Sequence, residues 1–440
     1  MRPAARLSLF VAFAFTVMAD PVSSIAYAVE AAYAGLDGDA ASLLPTMALV
    51  VGTIAVVAGT YHQLIGRFPA GGGGPEGLAA AFGEGWAFLP LGALLVDFTL
   101  TVAVSCAAAA SAVIAYLPEL AGARLPLAAT LAVVVGVACL AGHRGRVVFA
   151  TATLAFVGLA TVVVVRGLAA EPVAGAAPLA GDASLLPVLL VLPLGMALAT
   201  GLEAPSNAIA ELGELGPNGR RLFGRATVWL MLGIVGFLTL AVCALAVRLG
   251  LGLPEESSTL LADVAREATG EDRSFAAFQA ASALLLLAAA ASSYIAGSGL
   301  LEALARHGDA GGGLLPARLG RVNRWYVPPW GVGVLVVTAL AVILATGGRD
   351  QEIVQYYAVA VFASFFGATV ACSVLAWRDR RPAACAVSTL GVVLVAFVLA
   401  LNLRRIDPLA SLGAAGLVSA AFWLLWVRHG RPPGIARVLR

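Results

Sequence analysis

Apolar runs of about twenty residues succeed one another along this 440-residue chain, and that repetition constrains the fold more than any single motif. A helical run of that length crosses the ~30 Å hydrocarbon core of a bilayer. Hydrophobic residues make up 60% of the chain and charged ones 12%, and the mean hydropathy is +0.94. A soluble domain of this size has no interior large enough to hide so much apolar surface, so the chain reads as a polytopic membrane protein. Twelve spans are expected, at about 7–32, 43–65, 87–116, 126–142, 147–167, 185–212, 223–248, 274–300, 328–347, 352–377, 383–402 and 408–428. No segment between them is long enough for a separate soluble domain, so residues 1–440 are expected to form one transmembrane unit.

Orientation follows from the arginines. All 27 basic residues are arginine, which excludes a Walker-type phosphate loop and a Schiff-base lysine. With the N-terminus inside, the cytoplasmic segments hold 19 of them, while the outer loop at 253–273 is rich in Glu and Asp. The positive-inside rule therefore favours a multi-pass cell-membrane protein with both termini in the cytoplasm. The clusters Arg220/Arg221, Arg318/Arg321/Arg324 and Arg378/Arg380/Arg381 read as orientation signals rather than lipid sites. The start also carries the outline of a cleavable leader, but that reading leaves Asp20 and Pro21 without purpose. The five cysteines are widely spaced in apolar segments, with neither a disulfide framework nor a zinc site among them.

Two spans are interrupted in the same way. "VMADPVSSIAYAVEAA" at 17–32 and "ALATGLEAPSNAIAELGELG" at 197–216 each place an acid and a proline beside small polar residues in an apolar helix. These are spans one and six, which correspond if spans 1–5 and 6–10 are two repeats of five. Paired interruptions of this kind point to an inverted-repeat secondary transporter whose site lies at the membrane midplane. Both helices are expected to be unwound, near 20–26 and 201–206. A proline kink alone does not call for a carboxylate, and intramembrane acids are costly enough to be functional suspects.

A third acid lies in span three. Asp97, Thr101 and Ser105 are spaced i, i+4, i+8 and share one helix face, a polar stripe in otherwise apolar surroundings. Span ten opens with Tyr356 and Tyr357, which fit an interfacial aromatic belt or a hydroxyl-bearing gate equally well. "FPAGGGGPEGLAAAFGEG" is weak as a phosphate loop and reads as a cytoplasmic hinge between spans two and three.

These motifs carry a family resemblance across the whole chain. "DPVSSIAY" is similar to the first-helix motif of the amino acid–polyamine–organocation (APC) superfamily, and within it most resembles that of the KUP-type, KimA-like potassium importers. "YHQLIGRFPAGGGG" at 61–74 and "ATGLEAPSN" resemble the same branch after its second helix and in its sixth. The resemblance implies an all-α fold of about twelve helices. A 5+5 inverted repeat (about 7–167 and 185–377) would be joined by two extra helices (383–428). It also implies a cation site on Asp20, Tyr27, Asp97, Thr101, Ser105, Thr200, Glu203, Tyr356 and Tyr357. Pro75 and Glu76 depart from the branch, replacing the aromatic and small residues usual after the glycine run.

Three carboxylates with phenol and hydroxyl oxygens suit a hard monovalent cation such as K⁺, and not a transition metal. Three negative charges around one K⁺ exceed what it can balance, so at least one acid is expected to hold a proton, with Glu203 or Asp97 as carrier. The leading expectation is a proton-coupled potassium importer. An amino acid or polyamine permease of the same superfamily is the alternative, although the first break lacks the G-x-G amides that usually hold a substrate carboxylate. An enzyme is disfavoured because no histidine or cysteine accompanies the acids, and a sensor because it needs an output domain. No cofactor and no nucleic acid are expected. The expected partners are the bilayer and a small cationic or zwitterionic substrate, with a homodimer left open.

Overall fold

The computed structural model describes residues 3–142, 145–173, 184–306 and 313–435; at 3–4, 145–146, 357–360 and 406–407 it describes backbone alone. The described residues are helical almost throughout. Helices α1 (Pro3–Val17), α2 (Ala19–Ser23) and α3 (Ile25–Gly35) form the first segment, followed by α4 (Ala40–Arg67) and the short α5 (Gly73–Phe82). Next come α6 (Phe88–Tyr116), α7 (Arg124–Cys139) and α8 (Gly145–Gly167). The sixth segment is built from α9 (Leu185–Gly195), a 3-10 turn and α10 (Ala204–Ala208). The chain continues through α11 (Pro217–Leu249), α12 (Leu260–Thr269), α13 (Arg273–Arg306), α14 (Pro329–Ala345), α15 (Asp350–Arg378), α16 (Pro382–Asn402) and α17 (Ile406–Arg428).

Ten of the described segments are long and apolar enough to cross a membrane, and Ala5–Val17 and Pro329–Ala345 are shorter apolar helices. Each expected span contains helix where described. Local chemistry sets their ends. Asp39 accepts from Ala41 N at 3.1 Å to open α4, and prolines open α11, α14 and α16, where a missing N–H costs nothing.

Burial sorts the helices. The apolar window of α6 is 83% buried and that of α15 is 73%, whereas those of α16 and α17 are 22% buried. Helix α6 is thus the central post, packed by α13, α15 and α17. Peripheral helices turn Val137, Phe237, Leu284, Val337, Val393 and Leu417 outward, an apolar belt suited to lipid.

Three expectations need correction. Helix one is articulated rather than unwound: Ala19–Ser23 is a helical piece set off by single turn residues at Met18 and Ser24, both with right-handed helical angles. Serine hydroxyls account for this, because Ser23 Oγ donates to Asp20 O and Ser24 Oγ to Pro21 O, each at 2.7 Å. Those side-chain bonds to the preceding turn tighten the backbone around Pro21. Helix six does open, at 200–203 rather than 201–206, since α10 has already begun at Ala204. Finally, the glycine-rich hinge contains a helix, α5. Gly71, Gly72 and Gly73 all take positive φ before it, and the alanines and Leu78 that follow favour helix. The acidic outer loop likewise contains α12, whose start is capped by Thr259 Oγ1 accepting from Ala262 N at 3.1 Å.

Several arginines near helix ends bond across to neighbouring helix C-termini. Arg221 Nε donates to Gly66 O at 3.0 Å, Arg225 Nε to His62 O at 3.1 Å, and one Arg378 guanidinium nitrogen to Ala81 O at 3.0 Å. Each reaches a carbonyl at a helix C-terminus, where positive charge is favourable.

Candidate transport site

The two interrupted helices meet. Thr200 is extended (ψ 139°) and Gly201 takes φ +70°, so the helix is broken between the 3-10 turn and α10. Gly201 Cα faces Asp20 and Pro21 so closely that a side chain there would fall 2.9 Å from Asp20 Oδ2. On the other side of the contact, Ser24 Oγ reaches Leu198 O at 3.3 Å. Residues 174 positions apart thus form one junction at the interruptions.

Asp20 is half-buried by residue, but its Oδ1 is fully enclosed and has no hydrogen-bond partner among the described residues. Glu203, at the start of α10, is 6% exposed, and its Oε2 is likewise unpartnered. The strongest charge acting on Asp20 is that of Glu203. No arginine among the described residues contributes to the electrostatics of either acid. Two carboxylates removed from water without a basic partner are expensive unless a proton or a cation accompanies them.

Tyr27 is fully buried on α3. Its hydroxyl faces Thr200 and feels the charges of Asp20 and Asp97, yet makes no hydrogen bond of normal geometry. Thr200 Oγ1 is occupied by Ala197 O at 2.8 Å. From α6, Asp97, Thr101 and Ser105 are all buried on one face of a continuous helix. At ~1.5 Å rise per residue they spread over roughly 12 Å of axis, which describes a path rather than one coordination shell. Ser105 Oγ is unpartnered. Asp97 acts together with Asp20 on Tyr27, and together with Glu203 on Tyr61.

Helix ten contributes differently from expectation. Tyr356 is half-buried at the margin of the main apolar core, and the side chain of Tyr357 lies outside the described residues. Ser364, seven positions beyond Tyr357, is 4% exposed and neighbours the phenol of Tyr61. Tyr61 on α4 is 1% exposed and lies within electrostatic range of Glu203 and Asp97. Sequence reasoning passed over both. Tyr61 heads the conspicuous "YHQLIGRFPAGGGG" stretch, and Ser364 is the one hydroxyl in "AVAVFASFFG".

Comparison with known proteins adds two findings. A family model described as amino acid permease matches residues 7–426. The potassium transporter KimA of Bacillus subtilis (strain 168) is 26% identical over 396 residues, a match covering 82% of this chain and 60% of that protein. The chain thus spans 60% of the length of this relative.

Proposed function

The chain belongs to the amino acid permease family, and from that premise we propose that this membrane transporter imports potassium together with protons. The observation that carries the proposal is the pair Asp20–Glu203. Two carboxylates with enclosed oxygens sit at the junction of two interrupted helices, Glu203 the strongest charge on Asp20, with those oxygens unpartnered and no basic neighbour among the described residues. Such a pair is balanced by a cation on one acid and a proton on the other, which is the chemistry of cation–proton symport. A substrate carboxylate would meet repulsion from Asp20. The potassium transport named for the Bacillus subtilis relative supports the same reading.

In this proposal Asp20, Tyr27 and Thr200 bind K⁺ near the junction, and Asp97, Thr101 and Ser105 line its route. Tyr356 and Tyr357 stand at the opening of helix ten, and Glu203 or Asp97 carries the proton. Segments one to five and six to ten form two inverted repeats, α16 and α17 lie outside them, and both termini are cytoplasmic. Helix α4 packs against α9 and α11, and α6 packs against α13, α15 and α17. Rocking of the first group against the second would alternate access to the junction.

A second reading has its own support. The matching family model is described as amino acid permease, and a protonated amine would also sit well between Asp20 and Glu203. Complementation separates the two. The gene should restore growth of a potassium-uptake-deficient bacterium at limiting K⁺, and should confer no uptake from a panel of labelled amino acids and polyamines. Amino acid uptake without rescue at low K⁺ would favour the permease reading.

A further inference from the structure

The substrate pathway extends to a residue on α4 that lies outside the ligand set named so far. The Tyr61 side chain is 1% exposed, and its hydroxyl has no hydrogen-bond partner among the described residues. Its ring is fixed by an edge-on contact with Phe365, centroids 5.9 Å apart at 75°, and Phe365 is in turn edge-on to Phe362 at 6.2 Å. The hydroxyl is therefore held in place by packing and cannot swing to solvent. Glu203 is the strongest charge acting on it, followed by Asp97, and Ser364 is the hydroxyl beside it. Glu203 Oε2 is itself unpartnered.

A ring needed only for packing would be served by phenylalanine, which buries no unsatisfied polar atom. An immobilised phenol oxygen within electrostatic range of a carboxylate whose oxygen is unpartnered among the described residues, with a serine hydroxyl beside it, offers a hard cation one charged oxygen and two neutral ones. Tyr61 also lies six positions before the end of α4, the end gripped by Arg221 and Arg225. It lies on a different helix from Asp20 and Tyr27.

We propose that Tyr61 is a further substrate-binding residue, whose phenol oxygen, supported by Ser364, binds the transported cation together with Glu203. This inference rests on the cation-transport reading above. It adds helix two to the elements that touch the substrate, in the half of α4 that leads to its C-terminus. In the proposed orientation that is the cytoplasmic side, so Tyr61 would be among the last ligands before release.

The test is rubidium uptake, as a tracer for K⁺, by the full-length protein in liposomes, comparing wild type, Tyr61→Phe and Ser364→Ala. Loss of one neutral ligand, taken as worth about one net hydrogen bond, should raise KM about five- to tenfold in Tyr61→Phe. The maximal rate should stay within about twofold and the thermal midpoint should not move, because the ring stack on Phe365 is kept. Ser364→Ala, which leaves that stack untouched and reports even if the tyrosine variant folds poorly, should raise KM about two- to threefold. Wild-type KM in both variants would overturn the role of Tyr61 while leaving cation transport standing. A fall in rate and stability together, with KM unchanged, would show Tyr61 to be a packing residue. A wild-type protein that moves an amino acid but no rubidium would overturn this inference together with the reading on which it rests.

Discussion

Gly201 and Asp20 are in direct contact across the two helix interruptions: a Cβ on Gly201 would stand 2.9 Å from Asp20 Oδ2 and 2.8 Å from Pro21 Cδ. Gly201 also has φ +70°, a conformation that costs other residues roughly 1–2 kcal/mol. Gly201→Ala therefore carries two penalties at one position, strain in the backbone and a steric push on the acid. The variant is expected to insert into the membrane but to lose more than about tenfold of transport activity. A nearly wild-type rate in liposomes would mean that the junction is not where substrate binds.

Asp20→Asn keeps the shape of the side chain and removes its charge. Cation uptake is expected to fall to background while expression and elution volume on gel filtration stay normal. Tyr27→Phe is expected to be milder, by about the 0.5–1.5 kcal/mol of one net hydrogen bond, read as a rise in KM. Normal uptake by Asp20→Asn would remove the acid from the site.

Proton coupling should depend on Glu203. Wild-type uptake is expected to rise as the outside pH falls below the inside pH, because the proton enters as co-substrate, and to collapse with a protonophore. Glu203→Gln cannot exchange a proton and is expected to show a flat rate between pH 6 and 8. Ser105→Ala, about 12 Å along α6 from Asp97, should keep the wild-type slope. The same slope in both variants would assign the proton to another group.

A stability prediction concerns the outer helix α12. Glu30 Oε2 on α3 accepts a hydrogen bond from Leu260 N at 2.8 Å, capping α12 from another segment. Arg124 joins α7 to this region through Ser111 Oγ at 2.6 Å, and Ser111 Oγ donates to Asp350 Oδ1 at 2.7 Å. Glu30→Ala is expected to cost about 1 kcal/mol, the usual worth of an N-cap. Hydrogen exchange should rise first in residues 260–265. Unchanged protection there would show that Thr259 alone holds the helix start.

Much of the architecture could be read in the chain, because membrane insertion is dictated by run length and the twelve apolar runs are plain. The two interrupted helices were also legible, since an acid beside a proline in an apolar run costs too much to be kept for packing alone. Their geometry was not. Helix one keeps helical angles around Pro21, with two serines bonding back three residues, whereas Gly201 breaks helix six, and only the three-dimensional structure tells these apart. Helix α12 was hidden by its charge, because its apolar face (Leu260, Leu261, Val264) is short. Tyr61 was missed for a different reason: tyrosine near a helix end is usual at a membrane interface, and its burial against Phe365 depends on how α4 meets α15.

The most direct measurement of the central claim is simultaneous recording of potassium and proton entry into liposomes containing the purified protein. An imposed inward K⁺ gradient should acidify the lumen in wild type. Asp20→Asn should show neither flux, and Glu203→Gln should show no K⁺-dependent acidification. Wild-type liposomes that acidify only when an amino acid or polyamine is supplied, with K⁺ having no effect on the rate, would contradict the account.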